Sequence, residues 1–389
     1  MRRYLLALLG MLAACSAGAR VTTVPPGSSS TPGPDASLLL VPEAGAFEDA
    51  ALDALMEAEG DGAADGAVDG ATAAADAGPA ACPEGMILID GDYCTDVEVK
   101  CLKSWFDKVN KKTVCEEFEP PARCIGQKVH KRFCIDRYSW PNVAGVRAEV
   151  MNNFYQAQVK CASVGKRMCT ESEWTLACEG PEMKPYPYGY VRDPTKCNGD
   201  HGWDGPDMKK VAKRDAKELA RLWRGVPNGA QPECVSDYGV PDLPGNTDDV
   251  VASETFGDGW KGKYDSVHTG GPWYKGTRNQ CRPKIYTHDE GFYYYFLSFR
   301  CCGEADFKAT DPRTPKQVKG SWNFRRVESL APFSVEQMKH KLELKTRGEC
   351  KCKDEDKLCR TMCGTLLGPN ARDIDLKAPR GEGEAAPPP

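Results

Sequence analysis

Apolar and polar residues alternate over short stretches in the middle of this chain, and only a few segments repeat with a helical period. The run "GMILIDGDYC" places apolar residues at 86–89 before an Asp-Gly turn, which predicts a strand. A second short strand is predicted in "RFCIDRYSW" at 132–140. Long periodic segments are few between residues 181 and 302, so the pattern predicts that loops dominate this part.

One helix is predicted from apolar spacing alone. Met151, Tyr155 and Val159 recur every four residues and would share one face of a helix over about 148–163. Gly165 follows as a stop signal, because glycine readily adopts the backbone conformation that ends a helix. The expected helix therefore presents one apolar stripe to a core.

Two further helices are predicted by capping signals. In "CTESEWTLACEG", Thr170 and Glu173 have the spacing of a capping box, and Gly180 closes the segment. Ser334 and Gln337 repeat that spacing before a helix expected to end near residue 344.

The first fifteen residues have the pattern of an export signal. Two arginines precede "LLALLGMLAA", which is too short to remain as a membrane-spanning helix. The ending "LAAC" resembles a bacterial lipobox, in which Cys15 would become the lipid-bearing first residue. Ser16 follows, which favours the outer membrane as the destination of a lipoprotein. The alternative is an ordinary secretory peptide that is cleaved without lipidation.

Residues 16–80 differ sharply in composition from the rest. They are rich in Ala, Gly, Pro, Ser and Asp, and hold eleven acidic side chains against Arg20. Such a segment buries too little apolar surface to fold, so we expect a tether with a reach of about 45 Å. A short helical stripe around Phe47 is expected to be transient, with docking to a partner as the alternative. Residues 81–389 are nearly neutral, which gives a nucleic-acid partner no electrostatic support.

The nineteen cysteines indicate a disulfide framework. Setting Cys15 aside leaves an even number, and such density in an exported chain is typical of disulfide stapling. A structural zinc site is not favoured, because no CxxC pair is present. Two bridges are expected within "CKCKDEDKLCRTMC", among the following cysteines: Cys350, Cys352, Cys359 and Cys363.

Several stretches of the sequence resemble motifs of the formylglycine-generating sulfatase-modifying-factor family and occur in the same order as in that family. The resemblance covers about residues 82–302 and implies an irregular, loop-rich α+β fold related to the C-type lectin topology and here stapled by disulfides. Its most specific pieces are "GKRMCTESEW" and "DLPGNTDDVVAS". The others, in chain order, are "GMILIDGDYC", "RFCIDRYSW", "YPYG", "KCNGD", "TGGPW" and "SFRCC".

The resemblance also implies a calcium site. In "DLPGNTDD" the family pattern would place two carboxylates and two backbone carbonyls around one ion, and hard cations bind such oxygens. Asp249 stands where the family has a longer glutamate. The alternative is an acidic turn without an ion. The implied ligands are Asp242, Gly245, Thr247 and Asp249, with Asn198 at a second family site.

Family oxidases hold copper between two cysteines five residues apart, and here only one of them is present. After the glycine pair and Trp273, the first thiolate would fall near Lys275 or Gly276, which carry no sulfur, and the second near Cys281. One thiolate cannot form the two-sulfur site that selects Cu(I). We therefore expect Cys281 to be structural, bridged to Cys301 or Cys302 at the end of the domain.

The sequence thus predicts a lipid-anchored, non-catalytic domain of this family, at 81–303, that binds a protein, peptide or glycan or supports the cell envelope. It would carry a Cys-rich insert at 94–134 and a polar C-terminal extension at 304–389 with a small Cys-rich segment and a disordered tail. The alternative is a copper-dependent oxidase with a rearranged site around Cys281, and the missing first cysteine favours the non-catalytic hypothesis.

Overall fold

The computed structural model describes residues 81–108, 112–257, 259–274, 276 and 278–366. The predicted export signal with Cys15, the tether at 16–80 with its stripe around Phe47, and the tail beyond residue 366 all lie outside the described residues. Lys275 lies outside them as well.

Short strands and short helices alternate with long loops, in keeping with the sequence pattern. The strands are β1 (Met86–Cys94), β2 (Val97–Glu98), β3 (Cys101–Asp107), β4 (Lys112–Phe118), β5 (Arg123–Cys124), β6 (Lys128–Asp136), β7 (Arg167–Met168), β8 (Asp248–Ala252), β9 (Ser266–Thr269), β10 (Lys284–Ile285), β11 (Leu297–Ser298) and β12 (Cys301–Glu304). The helices are α1 (Phe154–Ser163), α2 (Glu171–Glu179), α3 (Met208–Lys213), α4 (Ala216–Leu222), α5 (Pro315–Lys319), α6 (Phe324–Leu330), α7 (Val335–Thr346) and α8 (Lys357–Cys363).

Two four-stranded sheets form the framework. In the first, with the order β1-β6-β12-β7, neighbouring strands are antiparallel, and β1 pairs with β6 over its whole length. The second has the order β10-β9-β8-β11, and its β11 is parallel to β8. The predicted insert at 94–134 forms two small antiparallel pairs, β2 with β5 and β3 with β4, and also contains the start of β6.

Helix α1 begins later than the apolar spacing predicts. It starts after Asn153, whose side chain accepts a hydrogen bond from the backbone N–H of Gln156, and the Gln156 side chain returns a bond to Asn153. Met151 has a positive φ of 65°, which is incompatible with a helix there. The predicted start at 148 is therefore wrong by about six residues. The capping boxes of α2, at Thr170, and of α7, at Ser334, are confirmed.

Nine disulfides pair all eighteen cysteines of the described chain. Three lie in the N-terminal part, two close the C-terminal segment, and the remaining four join helices, loops and strand β12 of the central domain. The pairs are 82–134, 94–124, 101–115, 161–301, 169–302, 178–281, 197–234, 350–363 and 352–359.

The expected bridge from Cys281 to Cys301 or Cys302 is wrong. Side chains of successive strand residues point to opposite faces, so the two adjacent cysteines of β12 reach different partners. Cys301 bonds to Cys161 in α1, and Cys302 bonds to Cys169 just before α2. Cys281 instead bonds to Cys178 in the last turn of α2.

The helices that follow β12 pack on the same core as the central domain. Buried side chains of α6 and α7, including Val327 and Met338, join a cluster with Phe154 of α1 and Leu297 of β11. Gln158 of α1 and Gln317 of α5 exchange two side-chain hydrogen bonds, of 2.7 and 3.0 Å, in a buried position. The described part of the polar C-terminal extension is thus continuous with the domain core.

The expected mixed, loop-rich α+β architecture stapled by disulfides is confirmed. Within the residues that the structure describes, no helix combines the length and the apolar character needed to cross a membrane.

Candidate functional site

The glycine pair at 270 and 271 brings the backbone close to helix α2 and to the following turn. Both glycines have positive φ angles, of 89° and 64°. A Cβ atom on Gly270 would lie 2.8 Å from the Trp174 ring, and one on Gly271 would lie 3.0 Å from the Arg278 backbone. Only glycine adopts these positive φ angles readily and also leaves no Cβ atom in contact with these neighbours. The pair therefore fixes the path of the chain into the segment 272–281.

Trp273, the aromatic residue of that segment, is packed inside an aromatic cluster. It is 2 % exposed, and its ring centroid lies 4.8 Å from that of Trp223 in an edge-to-face arrangement. Tyr295 and Phe296 contact the same ring, at centroid distances of 6.0 and 6.4 Å. Such pairs stabilise a core beyond the area they bury. The segment is thus held by packing where the family resemblance implies a copper-binding loop.

Cys281 is a fully buried disulfide sulfur. It bonds to Cys178 of α2, and its backbone N–H donates to the Pro185 carbonyl at 2.9 Å. The next residue, Arg282, forms an ion pair with Glu179 at 2.6 Å. This ion pair is a second attachment of the segment to the end of α2. A sulfur in a disulfide has no thiolate lone pair to give to copper or to a substrate.

A buried ion pair beside this segment was not apparent from the sequence. Arg278 pairs with Asp248, which also accepts a hydrogen bond from the Gly271 N–H. Burial raises the pKa of the Asp248 carboxyl, and the neighbouring Arg278 counteracts that rise. His268 lies 4.0 Å from the same carboxylate, and burial keeps its pKa well below the ordinary value. His268 is therefore a neutral packing residue, stacked on His288.

The two implied calcium carboxylates lie in a buried loop beside Arg300. Asp242 has a positive φ of 60°, and its Oδ2 accepts a hydrogen bond from the Gly229 N–H. The Oδ2 of Asp249 accepts one from the indole N–H of Trp174 and lies 3.4 Å from Nε of Arg300. Burial raises the pKa of both carboxyls, and Arg300 counteracts that rise in each.

Arg300 is a cation that already contacts this acidic loop. It is fully buried, and its two terminal nitrogens donate to backbone carbonyls. The accepting carbonyls are those of Asp136, Arg137, Pro241 and Asp242. The guanidinium therefore holds the loop in place and supplies the positive charge that the carboxylates need.

The residues around 242–249 fit a guanidinium better than a calcium ion. Calcium requires six to eight oxygen ligands. Of the four carboxylate oxygens, two are engaged by N–H donors, and only Oδ1 of Asp242 and Oδ1 of Asp249 are without a partner. A divalent ion would also lie against the charge of Arg300. Calcium at this loop stays a prediction, and Arg300 is the observation that weighs against it.

The remaining implied ligands lie close together but serve backbone contacts. The carbonyl of Asn198 accepts the Asn246 N–H at 2.7 Å, and a Cβ on Gly245 would lie 2.8 Å from that same carbonyl. The Asn198 side chain donates to Asn246 and to the Arg224 carbonyl. Thr247 is buried beside them. The structure thus brings Asn198 and Gly245 together, with hydrogen bonds that lock one loop against another.

A cavity of about 210 Å³ lies between the central domain and the C-terminal segment. Glu149 lines it and pairs with Lys160 at 2.6 Å and with Lys345 at 3.0 Å. Burial disfavours the charge of Glu149, but the two ammonium groups hold its pKa below the usual range. Lys160 also donates to the Thr361 carbonyl of α8 at 2.7 Å. The hydrogen bond from Lys160, which Glu149 holds in place, attaches α8 to the domain.

The family assignment rests on the sequence of the central domain. The sequence model of the Sulfatase-modifying factor enzyme 1-like domain matches residues 147–305. Over these residues the chain therefore matches the family that its motifs resemble. β1 and β6, which precede the matched range, pair with each other and, through β6, with β12 inside it. A comparison with curated proteins gave no match.

Three solved structures are similar in part. "Crystal Structure of CarF" is 11 % identical, with 57 % of this chain and 98 % of that one covered at a TM-score of 0.37. PvdO from Pseudomonas aeruginosa is 15 % identical, with 56 % and 94 % covered at a TM-score of 0.36. Treponema denticola variable protein 1 is 15 % identical, with 55 % and 98 % covered at a TM-score of 0.31. At these scores the likeness supports no conclusion about function.

Proposed function

We propose that this chain is an exported lipoprotein whose sulfatase-modifying-factor-like domain binds a partner and does not oxidise cysteine. The observation that carries this proposal is the disulfide between Cys281 and Cys178. Cys281 is the only cysteine of the segment 272–281 in the sequence, and its sulfur is covalently bonded to that of Cys178. Copper held by two thiolates would need both sulfurs ionised and free.

Peptide oxidation tests the non-catalytic part of the proposal. The full chain is incubated aerobically with copper and a Cys-x-Pro-x-Arg peptide, and formylglycine is followed by mass spectrometry. We expect no turnover. The variant Cys178→Ser, which leaves Cys281 as a thiol, should also be inactive, because a second thiolate is still missing. Turnover that disappears in Cys281→Ser would instead establish the oxidase alternative.

Export and anchoring are proposed from the leader sequence. The residues up to Cys15 have the order of a lipobox leader, and the acidic, small-residue segment that follows suits a tether. Palmitate labelling in a bacterial host should mark the wild-type chain and leave Cys15→Ser unlabelled. Cleavage at another position without label would establish an ordinary secretory peptide.

The contact surface that we propose for a partner is the aromatic loop, defined as residues 253–257 and 259–264. Its base is braced, since Oε1 of Glu171 accepts the Glu254 N–H at 2.9 Å and the Thr255 hydroxyl at 3.1 Å. Toward its tip, Phe256 and Trp260 are 47 % and 59 % exposed. A braced loop that presents large aromatic side chains has the character of a binding hot spot.

A second set of contacts orients these aromatic side chains. Trp260 lies edge-on to Tyr286 at a centroid distance of 5.5 Å, and the Tyr286 hydroxyl donates to Oε2 of Glu171 at 2.6 Å. Nζ of Lys319 lies 4.2 Å from the centroid of Phe256. The surface is thus ordered before a partner arrives, which lowers the entropic cost of binding.

Co-sedimentation tests this surface. Cys15→Ser removes the lipid site, so that pelleting with bacterial envelope fragments reports protein contacts alone. Adding Trp260→Ala should reduce the bound fraction several-fold. Phe307→Ala is the matched control, because Phe307 is 65 % exposed and belongs to a different part of the chain. Equal binding by both variants would exclude the aromatic loop as the contact surface.

A further inference from the structure

We propose that the C-terminal cysteine cluster, defined as Cys350, Cys352, Cys359 and Cys363, is a thiol–disulfide exchange site that reacts with an external thiol. The cluster contains two disulfides, 350–363 and 352–359. The Sγ atoms of Cys352 and Cys363, which belong to different bridges, lie 3.4 Å apart. With the Sγ of Cys359 they form a group in which all three atoms lie within 4.8 Å of one another.

This contact between two bridges is what exchange requires. Disulfides exchange when a thiolate attacks a disulfide sulfur and displaces the other sulfur. If Cys363 were released as a thiolate, it would already lie against the sulfur of Cys352. The pairing can then change from 352–359 to 352–363 without a large movement of the chain.

Exposure and the crowding of the sulfurs together set the order of the steps. Cys350 and Cys352 are half-buried, whereas Cys359 and Cys363 are 6 % and 2 % exposed. The sulfur of Cys352 is bonded to Cys359 and contacted by Cys363, which crowds it. Cys350 Sγ is bonded to Cys363 and lies outside the group of three close sulfurs. An incoming thiolate therefore attacks Cys350.

The exchange then balances in two displacements. The external thiol loses its proton to solvent, its sulfur bonds to Cys350, and the 350–363 bond breaks with its electron pair left on Cys363. The Cys363 thiolate then bonds to Cys352, and the 352–359 bond breaks with its electron pair left on Cys359. Two disulfides and one thiolate are present before and after, so no oxidant or reductant is consumed.

Lys341 stabilises the final leaving group. Lys341 belongs to helix α7, and its Nζ lies 3.3 Å from the Sγ of Cys359. An adjacent ammonium favours the thiolate form of a cysteine, and a better leaving thiolate departs faster. The structure thus places a cation beside the sulfur that receives the last electron pair.

The domain holds the reacting helix in place during exchange. The Thr361 carbonyl in α8 accepts a hydrogen bond from Lys160, and the Thr361 hydroxyl accepts one from Arg214 at 3.1 Å. Met362 packs in the core cluster shared with α1. These contacts keep Cys359 and Cys363 in position, so the exchange leaves the other seven bridges intact.

Thiol trapping with peptide mapping tests the proposal. The full natively oxidised chain is treated at neutral pH with reduced glutathione or, in a second arm, with a peptide that contains one cysteine. It is then quenched with iodoacetamide and digested without reduction. We expect three products in the same molecules: a mixed disulfide at Cys350, a 352–363 bridge and an alkylated Cys359. Reaction in only one arm would show whether the site accepts small thiols or peptide cysteines.

Charge variants test the role of Lys341. Lys341→Met should slow alkylation of Cys359 at least about threefold, because the leaving thiolate loses its cation. Lys341→Arg should restore most of the rate. Lys339→Met, an exposed change on the same helix, should leave the rate unchanged.

Several outcomes would overturn the proposal. One is a mixed disulfide at Cys352 with the 350–363 bridge intact, which would show simple capping of a surface disulfide. Another is the absence of any 352–363 bridge, and a third is an equal rate for Lys341→Met and Lys339→Met. Bridges of the central domain that open before the cluster does would contradict it as well.

Discussion

At the scale of single residues, buried charge is the feature that most constrains this domain. Arg300 is fully buried, donates to four backbone carbonyls, and lies beside Asp249. Each of those carbonyls, and the carboxylate, would lose a buried partner if the guanidinium were removed. Removing one member of such an arrangement is costly, since the other groups remain buried without compensation.

We therefore expect Arg300→Met to reduce the free energy of unfolding by about 3–5 kcal/mol. Urea unfolding followed by tryptophan fluorescence measures the change. Arg137→Met is the matched control, because the Arg137 side chain is exposed, and it should stay within about 0.5 kcal/mol of the wild type. A loss below about 1 kcal/mol in Arg300→Met would show that the loop does not depend on the guanidinium.

The same arrangement predicts how the protein responds to calcium. Because the charge of Arg300 already acts on both Asp242 and Asp249, calcium should raise the melting temperature no more than magnesium does at equal concentration. Differential scanning fluorimetry checks this. A calcium-specific rise that disappears in the double variant Asp242→Ala, Asp249→Ala would establish the family-type calcium site instead.

Asp265 predicts a pH dependence of stability. Burial is the main cause that raises the pKa of this carboxyl to about 6, although its oxygens accept hydrogen bonds from the Thr314 hydroxyl at 2.7 and 3.0 Å. A carboxyl with a raised folded-state pKa stabilises the fold below its unfolded pKa, and that contribution is lost as pH rises through the folded value. The stability of the wild type relative to Asp265→Asn should therefore fall as pH rises from about 4 to above 6.

Urea unfolding of both proteins between pH 4 and 7.5 tests this dependence. Asn keeps an oxygen acceptor for Thr314 but does not titrate, so the difference between the two proteins isolates Asp265. A difference that stays constant across the whole range would contradict the raised pKa.

At the scale of elements, the helices after β12 behave as part of the domain. Met338 of α7 is fully buried in the cluster that also contains Phe154 of α1. Met338→Ala should thus cost about 2–5 kcal/mol of unfolding free energy and lower the stability of the whole described domain in one transition. Leu330→Ala is the control, since Leu330 is 42 % exposed. Separate unfolding of the C-terminal helices, with the central domain unchanged, would be the contrary result.

Local signals predicted some elements well and missed others for identifiable reasons. The capped helices at Thr170 and Ser334 were predictable, because capping boxes are short-range patterns. The start of α1 was missed because Met151 belongs to the apolar stripe but lies in an irregular turn before the cap at Asn153. Apolar spacing shows that a residue is buried and does not by itself show that it is helical.

At the scale of the whole molecule, the existence of a disulfide framework was predictable and its connectivity was not. Cysteine number and spacing allow many pairings, and the fold decides among them. Cys301 and Cys302 are adjacent in sequence, yet the alternation of β12 sends them to α1 and to the start of α2. Cys281 pairs with Cys178 instead.

Only those parts of the candidate site that belong to sequence motifs were predictable. The glycine pair, Trp273 and Cys281 could be located from the family pattern, and the missing first cysteine was visible in the sequence. The roles of Arg300, Arg278 and Lys341 could not be seen, since each acts on a residue distant in the chain or on the surface of another helix. Such partners are determined by tertiary packing.

The most direct test of the account is non-reducing peptide mapping of the native chain after alkylation. We expect Cys281 to be protected from alkylation and to be recovered in a peptide linked to Cys178. Recovery of Cys281 as a free, alkylated thiol would contradict the structural role of this cysteine and return copper-dependent oxidation as the leading hypothesis.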